Sequence, residues 1–569
     1  MSEKDDHVLP EGATSSHSLT TADGTRLDYV ARADWMAIRR REKTIAEMFH
    51  VAYVVADEAP ASATAGQAGP AEAHRSARRP ITFIFNGGPG AASAFLHMGA
   101  IGPRRVVFND DGTPLPPPVE LTDNRESWLA FTDLVFIDPI GTGFSRATDR
   151  DSRGKNAGKT DEADDGSAPA HTRVTGSSRA PAARHATVLG PAAGAGAGGG
   201  SDSTSSEGST GSSNEKKPEL EFFGFKRDLE SLCEFIRSFL SQHARWESPV
   251  FIAGESYGGY RVGKLTRMLQ EKYGVGLNGA LLISPALEFM SLDNSDYDVL
   301  PWVDTFPTYS LAAAAHGRAA GVSAPVGPLD DSRVAEVRQA AEKFATRELP
   351  PLLMLGESLS ERERSRILTR ISRFTGLSRR FVERKAGRIG IRSFARELLR
   401  DRRRVLGLYD ASVSITDPYP DRDTYEGPDA TLAALDRVFS AGINTQLRSV
   451  IGVNTTREYH LLSLDANEAW KVDFDRHALE SHIGATDDLR YGIQLNPHMH
   501  VRISHGLFDM VTPYYASQRI AANMKLDDDA RSRVTLRHYP GGHMFYAWDT
   551  SRRAFSDDVR EFYRRAVGR

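Results

Sequence analysis

Apolar and polar residues alternate in places near the start of the chain, as in Phe49-His50-Val51-Ala52-Tyr53-Val54-Val55. That period of two predicts antiparallel strands within residues 20–56, at one edge of a sheet. Farther along the pattern changes to short, mostly apolar runs at 81–85, 133–137, 249–253 and 280–287, and a strand pattern resumes at 501–504 and 534–537. The apolar runs read as strands buried on both faces. Between them the spacing becomes helical. Phe225, Leu229, Leu232, Phe235, Ile236 and Phe239 fall on one face of a helix over 225–240, and 261–273 reads as a second helix. Strands that alternate with helices in this way predict an α/β fold with a largely parallel sheet.

After the run at 280–287 the alternation stops, and the sequence is mostly helical, Ala- and Arg-rich, up to about residue 450. This predicts a cap inserted between two core strands. The expected domains are therefore a core over 1–290, a helical cap over 291–450, and the second part of the core over 451–569. Within the first part, residues 150–218 hold Gly, Ser, Ala and charged residues with few apolar ones. Such a composition cannot bury enough surface to offset its ordering entropy, and it predicts a disordered insertion. Residues 57–80 read as a surface loop on the same ground.

Charge changes the picture little. A formal net charge of -4 gives no reason to expect nucleic acid. The arginines of 361–404 interleave with Ile367, Leu368, Ile371, Phe374 and Leu377 at three-to-four spacing, as on an amphipathic helix with a solvated face. Cys233 is the single cysteine, so no intrachain disulfide can form. The polar start of the chain and the lack of a long apolar segment lead to the expectation of a cytoplasmic protein that does not enter membranes.

Candidate chemistry centres on Gly254-Glu255-Ser256-Tyr257-Gly258, which lies between an apolar run and a helical one. G-x-S-x-G in that context is the signature of a nucleophile elbow. A serine hydroxyl is a poor nucleophile near neutral pH, so Ser256 needs a histidine base and a carboxylate to orient it. Asp509 follows the run at 501–504, and His543 follows that at 534–537, after Gly541-Gly542. His505 and His538 compete with His543 for the base. The order Ser256, Asp509, His543 is that of the α/β-hydrolase fold. Acyl chemistry also requires amide donors for an oxyanion; Tyr257 supplies one, and Gly88, in Asn86-Gly87-Gly88-Pro89-Gly90, supplies the other.

These pieces together resemble the serine carboxypeptidase family. They are Asn86 to Gly90, Gly141-Thr142-Gly143-Phe144-Ser145, Gly254 to Tyr260, Gly506-Leu507-Phe508-Asp509 and Gly541-Gly542-His543. The segment 300–317 resembles the helical segment of the family's bacterial members. The resemblance implies removal of C-terminal residues from peptides by Ser256, Asp509 and His543, with no cofactor and no metal. It also implies that Asn86 and Glu255 bind the substrate's terminal carboxylate. The sequence departs from the eukaryotic pattern where Ile84 replaces a tryptophan, Ala100 stands at the place of a second acid, and Ala91 at that of a cysteine. Arg104 or Arg105 could offer a guanidinium to a carboxylate, although a structural ion pair is the plainer role. The expected partner is a peptide with a free C-terminus, with neither nucleic acid nor membrane; a homodimer is left open. An acyltransferase or esterase using the same residues, or a catalytically silent scaffold, are the rival readings.

Overall fold

A computed structural model of the chain describes residues 7–56, 78–148, 218–292, 295–319, 331–422, 425, 427–471 and 483–568. The expected disordered insertion at 150–218 and the loop at 57–80 fall almost wholly outside the described residues.

Nine strands form the body of one sheet. They are β1 (Ala13–Thr20), β2 (Arg26–Arg40), β3 (Lys43–Val55), β4 (Ile81–Phe85), β5 (Asp133–Ile137), β6 (Val250–Glu255), β7 (Gly279–Ile283), β8 (His500–Gly506) and β9 (Val534–Tyr539). Their spatial order is β1-β2-β3-β5-β4-β6-β7-β8-β9. The first three, where the sequence alternates, are antiparallel, and β3 also meets β5 antiparallel. From β5 to β9 every neighbouring pair is parallel. A sheet with an antiparallel start, a crossover at β4 and β5, and a parallel run to the end is that of the α/β-hydrolase fold.

Both faces of the parallel strands are covered, which is why their sequence is apolar without alternation. On β6, Phe251 and Ala253 enter one core and Val250 and Ile252 the other. One core is closed by the C-terminal helix α7 (Asp549–Ala566) through Phe555, Val559, Phe562 and Tyr563. The other is closed by α1 (Phe225–Gln242) and α2 (Tyr257–Lys272). Every apolar position named for the first helix is buried.

Between β7 and β8 lie mostly helices, among them α3 (Leu300–Ala315), α4 (Asp331–Arg347), α5 (Glu361–Thr375) and α6 (Leu432–Asn444), with one small hairpin of Arg404–Leu406 and Ser414–Thr416. A third core joins α3, α4 and α5 to Leu507, Phe508, Met510 and Tyr514, which follow β8. These helices are thereby anchored on the carboxyl ends of the sheet. The arginine-rich segment is the amphipathic helix that its spacing predicts. Ile367, Leu368, Ile371 and Phe374 of α5 are buried, while Arg366 and Arg370 reach Glu348.

A buried ion pair ties α1 to α2 and both to the loop after β4. Arg261, fully buried, donates from Nε to Asp228 Oδ2 at 2.8 Å and from Nη2 to Oδ1 at 2.9 Å. Its Nη1 donates to the carbonyl oxygen of Asn86 at 2.6 Å. Asp228→Ala would strip the guanidinium of its counter-charge in an apolar site. The expected loss is about 3–5 kcal/mol of stability, read by urea unfolding, since breaking one side of a buried pair leaves an uncompensated charge.

Candidate active site

Strand β6 ends at Glu255 and α2 begins at Tyr257, so the chain reverses at the one residue between them. Ser256 has φ 62° and ψ -123°, a conformation that L side chains rarely adopt. It costs about 1–3 kcal/mol and persists only when the surroundings over-determine it. Here they do. Ser256 N–H donates to Ile283 O at 3.0 Å, and Ser256 O accepts from Gly259 N at 2.8 Å and Ala286 N at 3.0 Å. A Cβ on Gly254 would lie 2.2 Å from Gly258 O, which explains the glycine before the turn. Ser256 alone in the stretch from Val250 to Gly263 keeps partial exposure.

The loop after β4 lies on this turn. A Cβ on Gly87 would stand 2.5 Å from Tyr257 N and 2.6 Å from Glu255 O, so only a bare backbone can approach so closely. Gly88 follows with φ +99°. The Asn86 side chain is fixed at both ends: its Oδ1 accepts from Leu96 N at 3.1 Å, and its Nδ2 donates to Glu255 Oε2. Glu255 is buried, and that burial pushes its carboxyl up to about 7, with Asp509 adding to the rise while His543, Tyr546 and Asn86 hold it down.

The loop after β8 presents Asp509, fully buried. Its Oδ1 accepts from the backbone N–H of Val511 at 2.8 Å and of Thr512 at 2.9 Å. Oδ2 accepts from Thr512 Oγ1 at 2.6 Å and lies 2.7 Å from His543 Nδ1. Since a carboxylate only accepts, Nδ1 carries the proton, and in the neutral ring Nε2 keeps its lone pair. Burial drives the His543 pKa down, but the charge and hydrogen bond of Asp509, with the charge of Glu255, outweigh it and leave the pKa above 6.5.

The backbone of His543 is held as firmly. Its N–H donates to Tyr409 O at 2.5 Å, its carbonyl accepts from Ser284 Oγ at 2.8 Å, and the Tyr409 ring stands edge-on at 5.2 Å. Ser284 directly follows Ile283, whose carbonyl holds the Ser256 amide, so the same short segment after β7 fixes both the turn and the histidine.

The structure thus joins Asn86 to Glu255 and Asp509 to His543, lays the loop of Gly87 on the turn of Ser256 and Tyr257, and holds Ser256 and His543 through one segment, Ile283-Ser284. The two other histidines are spent elsewhere. His505 Nε2 pairs with Ser517 Oγ at 2.7 Å, and His538 packs edge-on against Tyr514; burial lowers their pKa values to about 4 and about 2. Arg104 pairs with Asp123 at 3.7 Å and Arg105 donates to Val106 O at 3.1 Å, as structural roles would have it. Ile84 is buried in the middle of the sheet, Ala91 bridges to Leu462, and Ala100 is buried in the helical turn His97–Ile101.

Sequence reasoning passes over Thr512, Ser284, Tyr409 and Tyr546. Thr512 carries a local signal, since a hydroxyl three residues after an acid can close a turn onto it. Tyr409 and Ser284 carry none, because their role lies in backbone contacts across the fold.

Residues 70–297 match the serine carboxypeptidase family. The matched stretch holds Asn86, Gly88, Glu255, Ser256 and Tyr257; Asp509 and His543 lie beyond it. Short stretches are also similar to pheromone-processing carboxypeptidases: KEX1 of Puccinia graminis f. sp. tritici, 36% identical over 76 residues, and kex1 of Aspergillus niger, 37% identical over 73 residues. Each match covers 13% of this chain and 10% of the relative, so the chain spans about a tenth of the carboxypeptidases it matches. Among solved structures, a soluble variant of monoglyceride lipase from Saccharomyces cerevisiae aligns at TM-score 0.31 and 11% identity, covering 99% of this chain and 98% of that one. An acetylester hydrolase from Corynebacterium glutamicum aligns at TM-score 0.30 and 10% identity, over 97% and 96%. Overlaps this loose add nothing to the fold that the sheet order defines. No helix among the described residues is long and apolar enough to cross a membrane.

Proposed function

We propose that the protein is a serine carboxypeptidase of the bacterial type, cytoplasmic, which removes the last residue of peptides with a free C-terminus. The observation that carries this reading is the Asn86–Glu255 pair, set directly before the serine of the elbow. A buried carboxyl with its pKa near 7 is poorly placed to serve as an ordinary ion-pair partner, but it can share a proton with an incoming carboxylate. The match over 70–297 supports the same class. Cys233 is free and buried, which suits a compartment that keeps thiols reduced.

In this reading Ser256 Oγ attacks the last peptide carbonyl while His543 Nε2 takes its proton. The Asp509 carboxylate holds the ring and offsets the charge that the imidazolium gains. The amides of Gly88 and Tyr257 receive the oxyanion. His543 returns the proton to the leaving amino group, the C–N bond breaks, and an acyl group remains on Ser256. Water, deprotonated by His543, then releases the shortened peptide. The helices of 291–450 act as the cap over this site, between core parts 1–290 and 451–569.

A blocked dipeptide and its C-terminal amide separate this reading from an esterase or acyltransferase. The free acid is expected to have the higher kcat/KM; equal cleavage of both, or ester cleavage far above either, would overturn it. Gly87→Ala tests the loop on the elbow. Its methyl cannot fit 2.5 Å from Tyr257 N, so the loop must lift and carry Gly88 with it. Loss of one oxyanion donor lowers kcat by about 10²- to 10³-fold, and that is the expected result, with the circular dichroism spectrum unchanged.

A further inference from the structure

A groove of about 820 Å³ opens between helix α6 and the extended segment 458–465. Asp436, Ser440 and Asn444, spaced four apart, set one face of α6 along it. From Asp436 to Asn444 the helix rises about 12 Å, the length of three or four extended residues at about 3.3 Å each.

One end of the groove lies at the site. Leu408 N donates to Asp429 Oδ2 at 2.6 Å, which ties the start of α6 to the hairpin that carries Tyr409, and Tyr409 O holds the His543 amide. Burial raises the Tyr409 phenol, and the charges of Asp429, Asp509 and Asp436 add to the rise. Asp436 thus acts on the same ring that stands edge-on to His543. The opposite wall ends on the loop of Gly88: Ser463 N donates to Gly90 O at 2.8 Å, and Leu461 O accepts from Ala92 N at 2.9 Å. The other end leads away, toward Arg448, whose Nη2 donates to Arg457 O at 2.7 Å.

The lining is negative. Asp436, Glu458 and Asp465 face one guanidinium, that of Arg437, and none of the three carboxylates has an ion-pair partner among the described residues. Glu458 and Asp465 are exposed, but Asp436 is half-buried. Its Oδ1 is shut off from solvent with no hydrogen-bond partner. Burial and the like charge of Asp429 push the Asp436 carboxyl up to about 7, with Arg437 holding it down only in part. Buried polar groups are nearly always paired, so a carboxyl desolvated in this way is suited to a cation that a ligand brings.

We propose that this groove holds the part of the peptide that precedes the scissile bond, and that Asp436 makes it selective for a lysine or arginine there. This rests on the carboxypeptidase reading and extends it from the last residue to those before it. In that reading the last residue ends at Asn86 and Glu255, both buried, so only the preceding residues run on into the open. An open channel three or four residues long, starting at the loop of Gly88, suits that part of the chain.

The test uses neutral five-residue peptides with a blocked N-terminus, in which a single lysine replaces glutamine at each position in turn, and follows release of the last residue by wild type and by Asp436→Asn. Lysine at one of the positions before the last is expected to raise kcat/KM about tenfold over glutamine, the lower end of what a hydrogen bond to a charged group contributes. Asp436→Asn is expected to remove that gain while leaving the glutamine peptide within twofold of wild type. The proposal fails if wild type favours lysine nowhere, if it does so only at the last position, or if the gain persists in Asp436→Asn. Equal losses on every peptide, with a lower melting temperature, mark a packing role and overturn it too. In all these outcomes the carboxypeptidase reading stands so long as the glutamine peptide is trimmed faster than its C-terminal amide; if the two are cut alike, both fall.

Discussion

Ser256→Ala is expected to lower kcat on a blocked dipeptide by about 10⁶-fold, and Asp509→Asn by about 10⁴-fold, with both variants folded. The first loss follows from removing the nucleophile. The second depends on how Asp509 is wired. Its Oδ1 accepts two backbone amides, from Val511 and Thr512, and these bonds require an oxygen. An asparagine at 509 must keep its carbonyl there and turn its NH₂ toward His543 Nδ1. A donor then faces a donor, and the ring is driven to carry its proton on Nε2, where a base needs a lone pair. Circular dichroism confirms folding, and steady-state kinetics gives the two factors. A loss for Asp509→Asn of less than about tenfold would mean that the carboxylate does not set the histidine's tautomer.

The second large effect is on pH dependence. Glu255 has its carboxyl pushed up to about 7. Below that pH it is neutral and can donate its proton to a substrate carboxylate; above it, two carboxylates face each other and KM rises. On the acid side His543, whose pKa is raised, becomes protonated and can no longer act as a base. For a free-acid substrate, kcat/KM is therefore expected to follow a bell whose alkaline limb begins near 7 and falls about tenfold per pH unit. The amide substrate lacks that limb. Glu255→Gln, neutral throughout, is expected to abolish it for the acid as well, so that kcat/KM rises as His543 loses its proton and then stays level up to pH 8.5. An alkaline limb that persists in Glu255→Gln would assign it to another group. Stability follows with the sign of a raised acid. The folded form holds its proton more tightly than the unfolded chain, so the contribution of Glu255 is full below about 4.5 and is lost as pH rises through about 7.

How much of this can be read in the sequence depends on whether a feature is local. The runs at 81–85 and 133–137 coincide with β4 and β5, because a strand buried on both faces leaves a short apolar block with polar ends. Helix α2 begins at Tyr257, four residues before the predicted 261, since the strained turn uses one residue and leaves no loop for the pattern to show. Strand β7 ends at Ile283 rather than Leu287. There the apolar run continues as the segment 284–287 that holds Ser256 and His543, and apolar content alone cannot separate a strand from the buried loop after it.

Within the site, residues placed by motif were legible. Asn86 and Gly88 follow β4, Glu255 ends β6 with Ser256 and Tyr257 after it, Asp509 follows β8 and His543 follows β9. Their supports were not. Arg261 reads as an ordinary helical arginine, yet it is fully buried and holds the Asn86 carbonyl. Tyr409 meets His543 only because the hairpin near 404–416 returns to the carboxyl end of the sheet. Tyr546 looks like one more aromatic in a core-forming run, yet it bears on the Glu255 carboxyl.

One measurement bears most directly on the central claim that Ser256 serves the removal of single residues from a free C-terminus. A peptide of mixed sequence and its C-terminally amidated twin are incubated with wild type and with Ser256→Ala, and the products are followed by mass spectrometry. The expected result is a ladder of successive single-residue losses from the C-terminus of the free acid, with the amide far slower and Ser256→Ala inert. Internal cuts, equal trimming of the amide, or a ladder that survives in Ser256→Ala would contradict the account.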